Sequence, residues 1–276
     1  MNGRFSQVFD NDCLRIHWNC GFFSCCSVRI SEIVSFFNTY KMLPRIVDSC
    51  SQFDAYKIAD EDLTPEFFKT LDTTLAYKSN VACTEEDQWL NYKTIDFYGI
   101  APFVKKYFSL SDRVLEMIHG METQYQFDYD NTISVFYRGL DKSTETGVAP
   151  YAEFIEKADA LHKSNPTKRF FVQTDTEEFR NAFTTTFKNS FYLQEAPVSS
   201  ARTGSVMHNL IPAHERQHVA LTILASTYMI SKTQSIITHS GNCGLWSMYY
   251  RGNANGVYQY FNKWGTPYEH GKHWLT

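Results

Sequence analysis

The sequence predicts an α/β fold of two domains with a cleft between them. Two observations carry this expectation. From residue 133 to 250, short apolar runs of strand length alternate with helical runs, the pattern of a parallel sheet covered by helices on both faces. Residues 14–125 repeat that pattern in weaker form.

In the first half, 14–18 reads as a strand. Residues 30–40 read as a helix, because Ile30, Ile33, Val34 and Phe37 fall on one face. That helix ends near Pro44, and 43–47 reads as a second strand. Residues 111–125 read as a helix with Ser111 as its N-cap. The polar turn Asp128-Tyr129-Asp130-Asn131 separates the halves. In the second half, 133–137 is a continuous apolar strand, followed by a helix over 151–162 with Tyr151, Phe154, Ile155, Ala158 and Leu161 on one face. Then come a strand at 169–173, a helix at 176–187, a strand at 190–193, a long apolar helix at 215–231, a strand at 235–238 and a helix at 245–250. The expected domains are 1–128 and 129–250, with 251–276 a tail packing back on the N-terminal domain.

Composition narrows the function. The 276 residues are 43% hydrophobic and 20% charged, which excludes a disordered chain or a fibre. Lys and Arg number 26 against 30 Asp and Glu, so the chain lacks the basic character of most nucleic-acid binders. The 22 Phe, 17 Tyr and 5 Trp suit sugar stacking, although each ring by itself reads as core. The seven cysteines are odd in number, include the adjacent pair Cys25-Cys26 and form no C-x-x-C, so reduced thiols are expected. The first residues carry no apolar signal segment, and the uncharged run 217–231 is too short and polar to span a bilayer. A soluble, cytoplasmic protein is the expectation.

On such sheets ligands bind at the carboxyl ends of the strands. There the sequence concentrates its polar chemistry. Tyr137-Arg138-Gly139-Leu140-Asp141-Lys142-Ser143-Thr144-Glu145 follows the first strand of the second half. Arg supplies a planar fork for phosphate and Lys a point charge. Asp175 ends the next strand and also suits an N-cap. A third loop carries Arg202 and, beyond it, His208. A fourth strand end reads Thr238-His239-Ser240-Gly241-Asn242-Cys243-Gly244, and its small residues at a helix start offer backbone N–H groups to an anion.

Three other patterns compete. His214-Glu215-Arg216-Gln217-His218 is a literal H-E-x-x-H and raises the alternative of a zinc hydrolase. Arg216 at a normally uncharged position and the lack of a third ligand favour surface histidines. The D-x-D triplets at Asp10-Asp12, Asp60-Asp62 and Asp128-Asp130 read as turns and caps. Cys25 reads as a small buried residue rather than a nucleophile. No metal is expected.

Phe136-Tyr137-Arg138-Gly139-Leu140-Asp141-Lys142 resembles the H-x-R-R-T-D-K motif of the fucosyltransferase-like superfamily. Ala149-Pro150-Tyr151-Ala152-Glu153-Phe154 is similar to its H-P-I-E-E-Y, and Val172-Gln173-Thr174-Asp175 to its A-T-D-D segment. Residues 230–242 resemble its serine-rich strand end, and Arg202 with His208 a looser R-S-…-H pattern. The resemblance covers about residues 130–250. It implies a GT-B fold, two Rossmann-like domains facing a cleft, with the N-terminal domain on the acceptor side and the C-terminal one holding a nucleotide sugar. It implies an inverting glycosyltransferase that needs no metal or other cofactor and acts on a glycan or glycoprotein hydroxyl, with no nucleic acid and no membrane span.

By the same resemblance, Arg138 holds the donor diphosphate. Asp141, Lys142 and Asp175 match the motif's charged positions, and Asn242 a phosphate-binding serine, with Ser240 and Gly241 beside it. Phe136 stands where the family has a guanine-reading His, and Ser226 where some members have a guanine-reading Asp. A UDP-sugar such as UDP-xylose is therefore as much implied as GDP-fucose. Glu145 and Asp48 are the candidate bases for the acceptor hydroxyl. A non-catalytic module that binds sugar nucleotides or glycans is the further alternative.

Overall fold

The computed structural model describes residues 5–9, 12–72, 74–200, 207–271 and 273–275. A small sheet opens the chain: β1 (Ser6–Phe9) pairs antiparallel with β2 (Cys13–Ile16), and β2 pairs parallel with β3 (Ile46–Asp48). Between β2 and β3 runs α1 (Phe22–Tyr40), which starts eight residues before the expected helix. Its first turns carry Phe22, Phe23, Cys25, Cys26, Val28 and Arg29, all buried. A helix buried nearly all round shows no one-faced period, so its start was not visible in the pattern. Lys41 closes it in the left-handed region, with its N–H on the Phe37 carbonyl.

Residues 54–110 hold short elements that the sequence did not announce. They are α2 (Thr64–Phe67), β4 (Phe68–Lys69), α3 (Phe97–Tyr107) and β5 (Ser109–Leu110), with β4 and β5 paired antiparallel. Pro102 sits inside α3 and masks it. In α4 (Asp112–Tyr125) Ser111 is the N-cap, its hydroxyl accepting the Val114 N–H as expected.

The second half forms a six-stranded sheet. In chain order it contains β6 (Thr132–Tyr137), α5 (Lys142–Glu145), α6 (Tyr151–Ser164), β7 (Arg169–Thr174), α7 (Glu177–Thr186), β8 (Ser190–Phe191), α8 (Arg216–Lys232), β9 (Ser235–His239), α9 (Asn242–Arg251), β10 (Val257–Tyr260) and β11 (Trp274–Leu275). The strand order is β11-β10-β9-β6-β7-β8, parallel except at β11. β6 lies in the middle and is buried along its whole length, Thr132 and Ser134 included, the reason apolar residues dominate it.

Residues 251–276 depart from the expected tail. Gly252 turns the chain in the left-handed region after α9. Val257–Tyr260 then pairs with β9, because its alternate residues are apolar enough to extend a buried sheet. The segment also touches the first half, where Gln259 bonds Leu90 and Tyr92 and Trp264 meets Trp89.

The sheet buries one face under α6 and α7, around Val135, Tyr137, Phe154, Phe170, Phe179 and Phe183. The other face lies under α8 and α9. There α1 and α3 pack on α9 and α4 packs on α8, so the first half shares one continuous apolar core with that face. Among the described residues no helix is long and apolar enough to cross a membrane.

Candidate active site

The carboxyl ends of β6, β7 and β9 converge on one charged cluster. Arg138 leaves β6 with its Nε donating to Asp175 Oδ2 at 2.7 Å and its terminal nitrogens donating to Asp141 and, at 3.5 Å, to Cys243 Sγ. Its side chain keeps 27% of its surface exposed. Burial works against the charge, but the Asp141 and Asp175 carboxylates outweigh it and hold the guanidinium well above its ordinary value. Asp175, expected as an N-cap, turns the other way. Thr176 takes the cap position of α7, while Asp175 accepts the backbone N–H groups of Gly139 at 2.8 Å and Leu140 at 3.4 Å. Burial pushes the Asp175 carboxyl up, against the pull of Arg138. The glycine at position 139 has a steric cause. A Cβ there would lie 2.9 Å from both Thr176 and the Tyr137 ring.

Lys142 begins α5 and is buried. Its Nζ lies 2.7 Å from Glu145 Oε2 and 3.8 Å above the centre of the Trp89 ring. Burial lowers its pKa, with Glu145 pulling the other way. Gly241 faces this group: with φ at 144° it occupies backbone space that suits only glycine, and a Cβ would come within 3.1 Å of Lys142 Nζ. After Gly241, α9 starts with no side-chain cap, so its first N–H groups have no partner within the helix. Asn242 Oδ1 accepts from Ser27 Oγ at 2.6 Å, and Ser240 Oγ accepts from Gln259 and from the Asn262 N–H. Both side chains therefore brace the loop.

The first half supplies a wall to this site. The Tyr92 hydroxyl accepts the Gly241 N–H at 3.1 Å and shares its single proton between the Gly241 and His239 carbonyls. The Tyr56 ring stands edge-on to His208 at 5.5 Å, its hydroxyl accepting the Phe22 N–H. Burial and the nearby Arg216 charge lower the His208 pKa, with Asp141 opposing. Tyr56, Trp89, Tyr92, Ser27 and Cys243 were not singled out from the sequence. They lie in short turns or buried helix starts, where no periodic signal marks them.

Several expected residues lie elsewhere. Asp48 is directly across from Arg15 in the small sheet, bonded to it at 2.6 Å, and also accepts the Cys50 N–H. These bonds commit its carboxylate to that sheet, and among the described residues it makes no bond to the Arg138 cluster. Arg202 lies outside the described residues. His214 and Glu215 occupy a short turn ahead of α8, while His218 is on the helix. All three line a surface cleft of about 670 Å³ with Glu177 and Glu195. Among the described residues no three metal-ligating side chains come together. Phe136 points into the core, and Ser226 is buried in α8 with its hydroxyl on the Ile223 carbonyl. Neither presents an acceptor to a nucleobase.

The same overall arrangement occurs in solved structures of the fucosyltransferase NodZ. The NodZ α-1,6-fucosyltransferase co-crystallized with GDP is 13% identical, with 90% of this chain and 93% of that chain covered and a TM-score of 0.54. NodZ from Bradyrhizobium gives the same identity and TM-score, with 90% and 94% covered. NodZ soaked with GDP-fucose is 11% identical at a TM-score of 0.53, again with 90% and 94% covered. The chain has a fucosyltransferase-like GT-B fold. No protein-family model matches the sequence, and no curated protein does. The likeness is therefore one of architecture rather than of extended sequence identity.

Proposed function

We propose that this protein is an inverting, metal-independent glycosyltransferase that moves a sugar from a nucleotide diphosphate donor to a glycan hydroxyl. The observation that carries the reading is the position of Arg138. It stands at the end of the central strand, oriented by a buried carboxylate and partly open to solvent, beside the uncapped start of α9. Solved proteins of this fold have been crystallised with GDP and soaked with GDP-fucose.

In this reading Asp175 keeps Arg138 Nε, and the terminal nitrogens, now shared between Asp141 and Cys243, turn to the donor diphosphate. The bond between the sugar C1 and the diphosphate oxygen breaks through an oxocarbenium-like state, and its electron pair stays on that oxygen. Arg138 and the first N–H groups of α9 stabilise the growing charge, a contribution of about 3–4 kcal/mol for one preorganised partner. The acceptor hydroxyl attacks the opposite face of C1, which inverts it. Its proton goes to Glu145, whose Oε2 lies 2.7 Å from Lys142 Nζ. Asp48 has no part in this scheme. The cluster holds two cations against three carboxylates, so donor affinity depends on directed bonds more than on net charge.

Calorimetry with UDP and GDP tests the reading. At least one nucleotide binds, UDP at least as tightly as GDP because Phe136 and Ser226 offer guanine no acceptor. Arg138→Lys, which keeps the charge and loses the fork, lowers turnover by about a hundredfold. GDP tighter than UDP by more than tenfold reverses the donor assignment. Absence of binding by both nucleotides ends the reading.

A further inference from the structure

Trp264 keeps 66% of its surface exposed, whereas the other four tryptophans are buried or half-buried. Its loop is not loose. The Gly265 N–H donates to the Glu145 carbonyl at 2.8 Å, the Gly147 N–H to the Thr266 carbonyl at 2.8 Å, and the Thr146 hydroxyl to the Lys263 carbonyl at 2.8 Å. Asn262 Nδ2 adds a bond to the Gly147 carbonyl. These bonds fix residues 262–266 to the segment that carries Lys142 and Glu145. The Trp264 ring also stands edge-on against Trp89 at 6.1 Å, and Trp89 lies under Lys142 Nζ. A large aromatic surface is thus held open on a loop bonded to the backbone of Glu145, the residue proposed to take the acceptor proton.

We propose that Trp264 is the platform on which a pyranose ring of the acceptor glycan lies, delivering its hydroxyl to Glu145. This rests on the glycosyltransferase reading above and names the acceptor side of the same site. An indole presents a flat apolar face to the C–H face of a sugar ring, and a pre-fixed ring loses little conformational entropy on binding. The neutral glycan is favoured over the donor because Trp264 lies on the Glu145 side of the cluster. The proposed diphosphate seat is at Arg138 and the start of α9, whereas the Trp264 loop is bonded to the backbone of Glu145 and Thr146.

The test uses the full chain and two separate ligands. Saturation-transfer NMR follows a panel of methyl pyranosides of xylose, galactose, mannose and N-acetylglucosamine, and calorimetry follows UDP and GDP. Trp264 is exposed, so Trp264→Ala keeps the fold. It weakens the best pyranoside at least tenfold, Trp264→Phe restores most of that affinity, and nucleotide affinity stays within twofold. Pyranoside affinity unchanged in Trp264→Ala, or no pyranoside binding to the wild type, overturns the platform. A tenfold loss of nucleotide affinity in Trp264→Ala also overturns it, because the ring would then carry the base. Nucleotide binding absent from the wild type ends the glycosyltransferase reading instead, and the pyranoside arm still reports on Trp264.

Discussion

Replacing Asp175 with Ala removes the carboxylate that organises the site, and the structure sets the size of the loss. Asp175 is buried, with 7% of its side chain exposed, and it accepts from Arg138 Nε, Gly139 N–H and Leu140 N–H. Removing one partner of a buried pair costs about 3–5 kcal/mol, because the remaining charge loses its compensation. Here Arg138 keeps Asp141 and some contact with water, which places the loss near the lower end, about 3 kcal/mol. The Leu140 bond is long, so the main backbone group left unpaired is the Gly139 N–H. At about 2–4 °C per kcal/mol for a chain of this size, the melting temperature falls by about 6–12 °C. Asp175→Asn keeps the shape and one acceptor oxygen but not the charge, so it should lose less than the Ala variant. Urea unfolding followed by tryptophan fluorescence measures both. A loss below about 1 kcal/mol in Asp175→Ala would refute the claim that this carboxylate holds the strand ends together.

Three further outcomes are expected. Activity persists in excess EDTA, since the proposed charge stabilisers are side chains and backbone N–H groups; loss on chelation with recovery in Mn²⁺ would show that a metal takes part. His239 is buried against Phe154 and Tyr137, and burial with the nearby Lys142 and Arg138 charges holds its pKa well below 6.5. The unfolded chain takes up that proton first, so the His239 contribution is complete above pH 6.5 and falls as the pH drops below it. Imidazole nitrogen shifts should still read neutral at pH 6.5, where a free imidazole is half protonated, and a protonated ring there would contradict this. Buried Glu153 gathers the Tyr268 hydroxyl, His270 Nδ1, the Gly271 N–H and Trp274 Nε1. Burial alone would raise its pKa, but these partners hold it below the ordinary 4.5. Its contribution is therefore complete above pH 4.5 and lost as the pH falls through the lower folded value. Glu153→Ala should raise hydrogen exchange across 261–275 at neutral pH, and unchanged exchange would show that the clamp is unimportant.

The second half was legible because its physics is local. β6 is buried on both faces and reads as a mainly apolar run. The helix over 151–164 shows one apolar face; in the first half the same locality made Ser111 legible, which caps α4 through a bond three residues away. Arg138, Asp141, Lys142 and Asp175 were visible because residues that end parallel strands share one edge of the sheet. Tertiary structure decided what those residues touch. It turned Asp175 from a helix cap to the Gly139 and Leu140 N–H groups, and it paired Asp48 with Arg15 rather than bringing it to the cluster. It brought Tyr56, Trp89 and Tyr92 from short turns against the strand ends of the second half, and it drew residues 257–260 into the sheet. Short turns have no period, and contacts between residues some 150 positions apart leave no trace in spacing. The residue types and their places along the strands belong to the sequence; their partners depend on which surfaces the folded chain presses together.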